Sequence, residues 1–206
     1  GEEDEREVDI LVQGSGFRSS QQFIGLCPSA NHYNKMWLKE RFAEVASILS
    51  RTRNQPIVLF GFGENEVVRC NEIQNHIHSL RPVRRTLAES SLRPYGEPKT
   101  LNLSGKISLT ETAAMMDNCS IVVTNDSGLM HLAAARKRNV VAIFGPTVKE
   151  LGFFPFGTNS VVVENNGLRC RPCTHIGLAS CPKGHFKCMN DISVEQVIAS
   201  ASTLLQ

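Results

Sequence analysis

The residues best placed to do chemistry run from Thr124 to His131 and read T-N-D-S-G-L-M-H. Before them, Cys119-Ser120-Ile121-Val122-Val123 is short, apolar and β-branched, as a buried strand would be. After them, Leu132-Ala133-Ala134-Ala135 are strong helix formers. Asn125, Asp126, Ser127 and Gly128 between the two are cap and turn residues, so a strand, a sharp turn and a helix N-terminus follow within a few positions. That geometry binds phosphate, because the first N–H groups of a helix are unpaired and its dipole is positive there. With a helix starting near Ser127, His131 falls on the same face and directs an imidazole at the same anion. The plainer alternative is that Asp126 is only an N-cap and His131 a surface histidine.

The rest of the chain supplies elements to hold this turn. Phe23 to Cys27 reads as a strand ended by Pro28, and a small-residue loop then leads to a helix opening near Lys35, with its apolar stripe at Leu38, Phe42, Val45, Ala46 and Leu49. Ser29 and Lys35 would therefore sit at the C-terminal edge of the strand, the ligand side of a parallel sheet, although a solvated Lys35 fits the spacing too. Pro56 to Phe60 is a second strand, Gly61-Phe62-Gly63 its turn, and Glu64 opens a helix through about Leu80. Glu66 in the first turn suits the helix dipole, and its carboxylate could also accept the two hydroxyls of a ribose diol. Thr100 to Leu103 is a short strand, Ser108 and Glu111 form a capping box for the next helix, and Val140 to Phe144 and Ser160 to Val163 are the last strands. Ser193, with Gln196 at the capping-box position, starts a final helix. The alternation of strand and helix with short turns specifies an α/β fold: a Rossmann-like parallel sheet with helices on both faces.

Composition excludes several classes. The 206 residues carry a net charge of only +2, so nothing global points to nucleic acid. No apolar run approaches the ~20 residues of a membrane-spanning helix. The acidic first residues are no signal peptide, and a soluble cytoplasmic protein is the expectation. Gly1 to Asp9 holds six acidic residues, and residues 1–20 read as a linker or tail ahead of a Rossmann-like domain at 21–206. Gly14 and Gly16 are not followed by a third glycine at Ser19, so the dinucleotide fingerprint is unmet and a nicotinamide-dependent dehydrogenase is not indicated. Arg81 to Lys99 reads as an irregular basic excursion. Four of the seven cysteines, Cys170, Cys173, Cys181 and Cys188, cluster in the segment 167–190, with His175 and His185 between them. Zinc, disulfides or free thiols all fit that spacing, so no metal ligand is assigned. The segment is expected to be structural and remote from chemistry.

The order C-P-S-A…K-M-W, V-L-F-G-F-G-E-N-E, N-L-S-G-K-I-S-L, V-V-T-N-D-S-G-L-M-H-L-A-A-A, V-V-A-I-F-G-P-T and C-R-P-C…C-P…C-M-N-D-I-S-V resembles the ADP-heptose lipopolysaccharide heptosyltransferases of glycosyltransferase family nine. The resemblance runs from about Phe23 to the end and corresponds to the C-terminal, donor-binding half of a GT-B enzyme. It implies transfer of a heptose-type sugar from a nucleotide-sugar donor, ADP-heptose-like, to a lipopolysaccharide core acceptor with inversion, the catalytic base lying in the N-terminal half. Lys35 would stabilise the leaving diphosphate and Ser29 would lie near the phosphates. Glu66 would hold the ribose, the backbone at Ile107 would read the adenine edge, and Asp126 would take sugar hydroxyls. Ser127, Gly128 and His131 would surround the diphosphate. No cofactor is implied, and the location implied is cytoplasmic, including a peripheral position at the inner face of the inner membrane. The alternative is a non-catalytic module that binds a nucleotide or nucleotide sugar.

Overall fold

A computed structural model describes residues 1–80 and 97–206; most of the basic excursion at Arg81 to Lys99 lies outside the described residues. In chain order the elements are α1 (Glu2–Gly14), β1 (Phe23–Cys27), α2 (Lys39–Arg53), β2 (Ile57–Leu59), α3 (Glu64–Ser79), β3 (Thr100–Asn102), α4 (Leu109–Asp117), β4 (Cys119–Asn125), α5 (Gly128–Ala135), β5 (Asn139–Phe144), β6 (Ser160–Glu164), α6 (Lys187–Asn190) and α7 (Val194–Leu204). The six strands form one sheet in the order β3-β2-β1-β4-β5-β6, every neighbouring pair parallel.

Side-chain alternation sorts the core into two layers. Ile24, Leu26, Ile121, Val123, Val141 and Ile143 face α2, α3 and α7, whereas Phe23, Cys27, Val122, Val140, Ala142 and Phe144 face the side covered by α1, α4 and α5. Both faces are covered, which is why the strands are apolar throughout rather than alternating with polar residues. The capping boxes read from sequence at Ser108 with Glu111 and at Ser193 with Gln196 are both formed.

Two local expectations are corrected. Residues 2–14, expected as part of a linker or tail, form α1, which packs against α4 with Val8 and Val12 buried. The acidic run favours this helix, because Glu2, Glu3, Asp4 and Glu5 occupy the first turn where the dipole welcomes negative charge. The helix expected to open near Lys35 instead begins at Lys39, after a 3-10 turn at Tyr33–Lys35. Trp37 holds the intervening segment extended: its N–H donates to Asn125 Oδ1 at 3.0 Å, its carbonyl accepts from Arg69, and its indole N–H reaches the Ile192 carbonyl at 3.2 Å. With both backbone groups of Trp37 committed to distant partners, no helical turn can form there.

Candidate donor site at the switch point

In the strand order, β1 leads outward to β2 on one side, while β4 leads outward to β5 on the other. The crevice at the C-terminal ends of β1 and β4 is thus the topological switch point, where open parallel sheets bind ligands. The loops after these two strands meet in a buried ion pair: Lys35 Nζ lies 2.6 Å from Asp126 Oδ2, with the two side chains only 12% and 3% exposed. Thr147, at the end of β5 and fully buried, donates its hydroxyl to the same carboxylate oxygen at 2.7 Å. Asp126 is therefore not the cap of α5. The N-cap is Ser127, whose side chain makes no capping hydrogen bond among the described residues, so the first N–H groups of α5 are left for a ligand.

The fastening of this pair is long-range. Asn125, fully buried, donates Nδ2 to the Pro28 carbonyl at 2.7 Å and accepts from Trp37 N–H, so the end of β4 holds both sides of the loop that carries Lys35. Arg69 of α3 donates to the Pro28 carbonyl at 2.8 Å and to the Trp37 carbonyl, and its burial pushes the guanidinium pKa down. Phe153 lies with its ring centroid 6.0 Å from Lys35 Nζ, an aromatic face beside the ammonium.

The loop that carries Lys35 also lines a cavity of about 410 Å³, with Ser29, His32, Tyr33, Glu66, Arg69 and Ala179 among its walls. The Ser29 hydroxyl is buried and has no hydrogen-bond partner among the described residues, a group whose desolvation a ligand oxygen would offset. Glu66 accepts the Phe62 N–H on Oε2 at 2.7 Å, which fixes the carboxylate at the cavity wall. Ile107 follows the C-terminal end of β3 with its side chain in the core, so it offers a ligand only its backbone. Gly128 and His131 are exposed on α5.

The structure thus brings Lys35 together with Asp126, brings Ser29 together with Glu66, and places Ser127, Gly128 and His131 on the helix that begins beside Asp126. Thr147 and Arg69 join the site without being expected there, and Asn125, expected only as a turn residue, fastens it. Thr147 carried a signal, since it closes the G-P-T turn after a strand; Asn125 and Arg69 act through partners far away in sequence.

The cysteine-rich segment is not remote from this site. Arg171 Nε donates to the Gly145 carbonyl and Nη2 to the Thr147 carbonyl at 2.8 Å, and the Cys173 N–H reaches the Pro146 carbonyl at 3.3 Å. All seven cysteines are free thiols. Among the described residues no group of three or more His, Cys, Asp or Glu side chains converges closely enough to hold a metal ion. Burial pushes the Cys188 thiol up to about 11. At Cys181 burial acts in the same upward direction but is outweighed by backbone N–H groups of Phe186, Lys183, Gly184 and His185, which lower its pKa.

A parallel six-stranded sheet with a cation, a carboxylate and a free helix N-terminus at its switch point makes an α/β domain of the GT-B kind. Residues 3–181 match glycosyltransferase family 9 (heptosyltransferase), and the chain belongs to that family. It is 34% identical over 190 residues to lipooligosaccharide heptosyltransferase 2 of Campylobacter jejuni, covering 92% of this chain and 53% of that protein. The Haemophilus influenzae lipooligosaccharide heptosyltransferase 2 is 38% identical over 125 residues, 60% of this chain and 31% of its own. All of the chain superimposes on 52% of the E. coli ADP-heptose lipopolysaccharide heptosyltransferase II, with a TM-score of 0.68 at 24% identity. The family 9 glycosyl transferase of Veillonella parvula gives a TM-score of 0.74 at 24% identity, over all of this chain and 52% of its own. The chain spans about half the length of the Campylobacter jejuni relative.

Proposed function

We propose that this chain is the donor-binding half of a heptosyltransferase. It holds an ADP-heptose-like nucleotide sugar and, with an N-terminal half, transfers the heptose to a lipopolysaccharide core acceptor with inversion at the anomeric carbon. The observation that carries the reading is the Lys35–Asp126 pair at the switch point, set beside the uncapped N-terminus of α5. An arriving diphosphate finds the α5 N–H groups and the Lys35 ammonium aimed at one place. As the sugar–phosphate bond breaks, negative charge grows on the leaving diphosphate, and a fixed cation with oriented N–H groups stabilises that charge without reorganising. Asp126, released from part of its bond to Lys35, takes sugar hydroxyls. Glu66 takes the ribose, Ser29 a phosphate oxygen and the Ile107 backbone the adenine edge. His131, on the α5 face that follows Ser127, adds a donor to the diphosphate. A cytoplasmic position, with contact to the inner face of the inner membrane through the acceptor, belongs to the same proposal.

Calorimetric titration with ADP, UDP and NAD in parallel tests the nucleotide assignment, which requires ADP to bind tightest. Joining the chain to an acceptor half and following heptose transfer by NMR of the anomeric proton tests the rest. Tight ADP binding without transfer in the joined protein would favour a non-catalytic binding module.

A further inference from the structure

We infer that Arg171, in the C-R-P-C turn of the cysteine-rich segment, is a positioning residue that sets the geometry of the Lys35–Asp126 pair. The inference rests on the donor-site reading above. The Arg171 side chain is only 3% exposed. A guanidinium has five N–H donors, and buried it must satisfy them. It does so: Nε goes to the Gly145 carbonyl, Nη1 to the Asn165 carbonyl at 2.7 Å and Asn166 Oδ1 at 3.3 Å, and Nη2 to the Thr147 carbonyl at 2.8 Å and Glu164 Oε2 at 2.6 Å.

Two of those acceptors flank Pro146 in the G-P-T turn, and the intervening Pro146 carbonyl takes the Cys173 N–H. All three carbonyls of the turn are therefore held by residues 171–173. The turn ends in Thr147, whose hydroxyl bonds the Asp126 oxygen that pairs with Lys35. A chain of contacts runs from Glu164 through Arg171 and Thr147 to Asp126 and Lys35, with each link at or below 2.8 Å.

The same segment grips the other partner of the ion pair. Leu178 N–H donates to Asn34 Oδ1 at 2.8 Å and the Leu178 carbonyl accepts the Asn34 N–H at 3.2 Å, one residue before Lys35. Gly177 stands so close to His32 that a Cβ would lie 2.4 Å from the imidazole ring, and its φ of 131° is one that side chains rarely adopt. Residues 171–178 thus touch the loop that carries Lys35 and the turn after β5 whose Thr147 holds Asp126. A surface ion pair with Glu164 would need only one edge of the guanidinium; the edges turned to Gly145 and Thr147 serve the turn.

The test compares the wild-type chain with Arg171→Lys, Glu164→Gln, Lys35→Ala and the double variant Lys35→Ala/Arg171→Lys, each first shown to unfold cooperatively. Arg171→Lys keeps a charge opposite Glu164 but gathers its three donors on one nitrogen, which does not reproduce the spread of the fork over the Gly145, Asn165 and Thr147 carbonyls. ADP affinity by calorimetry should fall about tenfold in Arg171→Lys but less than about twofold when Lys35 is already Ala, the non-additivity of residues in one network. Glu164→Gln, nearly isosteric, should show the same pattern more weakly and carries the test where Arg171→Lys does not fold. A second readout needs no nucleotide: the rate of Lys35 acetylation by a small acylating reagent, followed by peptide mass spectrometry. It should rise several-fold in Arg171→Lys, with the rate at Lys39 unchanged. Additive losses of ADP affinity, or an unchanged Lys35 rate in the folded variant, would overturn the inference. Failure of the wild type to bind ADP would sink the donor reading, and the Lys35 rate alone would then decide the positioning role.

Discussion

Replacing Lys35 by Met removes a cation from a carboxylate that is 3% exposed and leaves the side chain's length nearly unchanged. Asp126 then keeps the Thr147 hydroxyl as its side-chain partner among the described residues. Breaking a buried pair from one side costs about 3 to 5 kcal/mol, and because Thr147 still donates, the low end applies, about 3 kcal/mol. For a chain of this size each kcal/mol moves the melting midpoint by about 2 to 4 °C, so Lys35→Met should melt about 6 to 12 °C below wild type. The double variant Lys35→Met/Asp126→Asn has no charge to strand, and Asn keeps the shape and an acceptor for Thr147. It should recover at least half of the loss, a coupling of about 1.5 kcal/mol or more. Urea and thermal denaturation of wild type, the two singles and the double at one pH close the cycle. A Lys35→Met protein within about 0.5 kcal/mol of wild type, as for an ordinary surface substitution, would show that Lys35 is a solvated lysine. A double variant weaker than either single would show that the two side chains act separately.

Further outcomes follow from other parts of the fold. Val12→Ala in α1 should cost about 2 kcal/mol, as for a buried side chain cut back to Cβ, whereas a linker residue would cost almost nothing; denaturation midpoints decide. Cys70 is held by burial at a pKa of about 12, above the roughly 8.5 of an unfolded chain. Between those values the native state binds the extra proton, so stability is full below pH 8.5 and falls as pH rises, by up to ~1.4 kcal/mol per pH unit. Urea midpoints at pH 8 and pH 10 should show the fall, and Cys70→Ala should lessen it by one thiol's share, because burial raises Cys27, Cys119 and Cys188 as well. Iodoacetamide at neutral pH should label Cys181 before the other cysteines, because backbone N–H groups favour its thiolate; peptide mapping that finds Cys188 labelled first would contradict this.

What could be read from the sequence was what is local. The apolar runs at Phe23, Ile121 and Val140 lie within single strands, and the capping boxes at Ser108 and Ser193 involve residues three apart, so one window of sequence contains the cause. The strand–turn–helix around Asp126 was legible for the same reason. The N-terminal helix was hidden because its charge outweighs its pattern, only Val8 and Val12 being buried within a strongly acidic run. The delayed start of α2 depends on Asn125, 88 residues beyond Trp37, and no local propensity reports that bond. Arg171 was obscured by its neighbours: between two cysteines it reads as part of a metal or disulfide loop, and its bonds to Gly145 and Thr147 appear only when the segment folds back on β5.

On the proposed function, the nucleotide diphosphate sits at the C-terminal edge of β1 and β4. A rival location exists, since a cavity of about 560 Å³ opens at the opposite end of the sheet, lined by Gly16, Phe17, Gln21, Gln55 and Lys99 among others. Amide hydrogen exchange with and without saturating ADP distinguishes the two directly. Slowed exchange is expected at residues 126–130, 28–37 and 60–66, with little change at residues 16–22 and 54–56. Protection concentrated at residues 16–22 and 54–56, with the start of α5 unaffected, would contradict it.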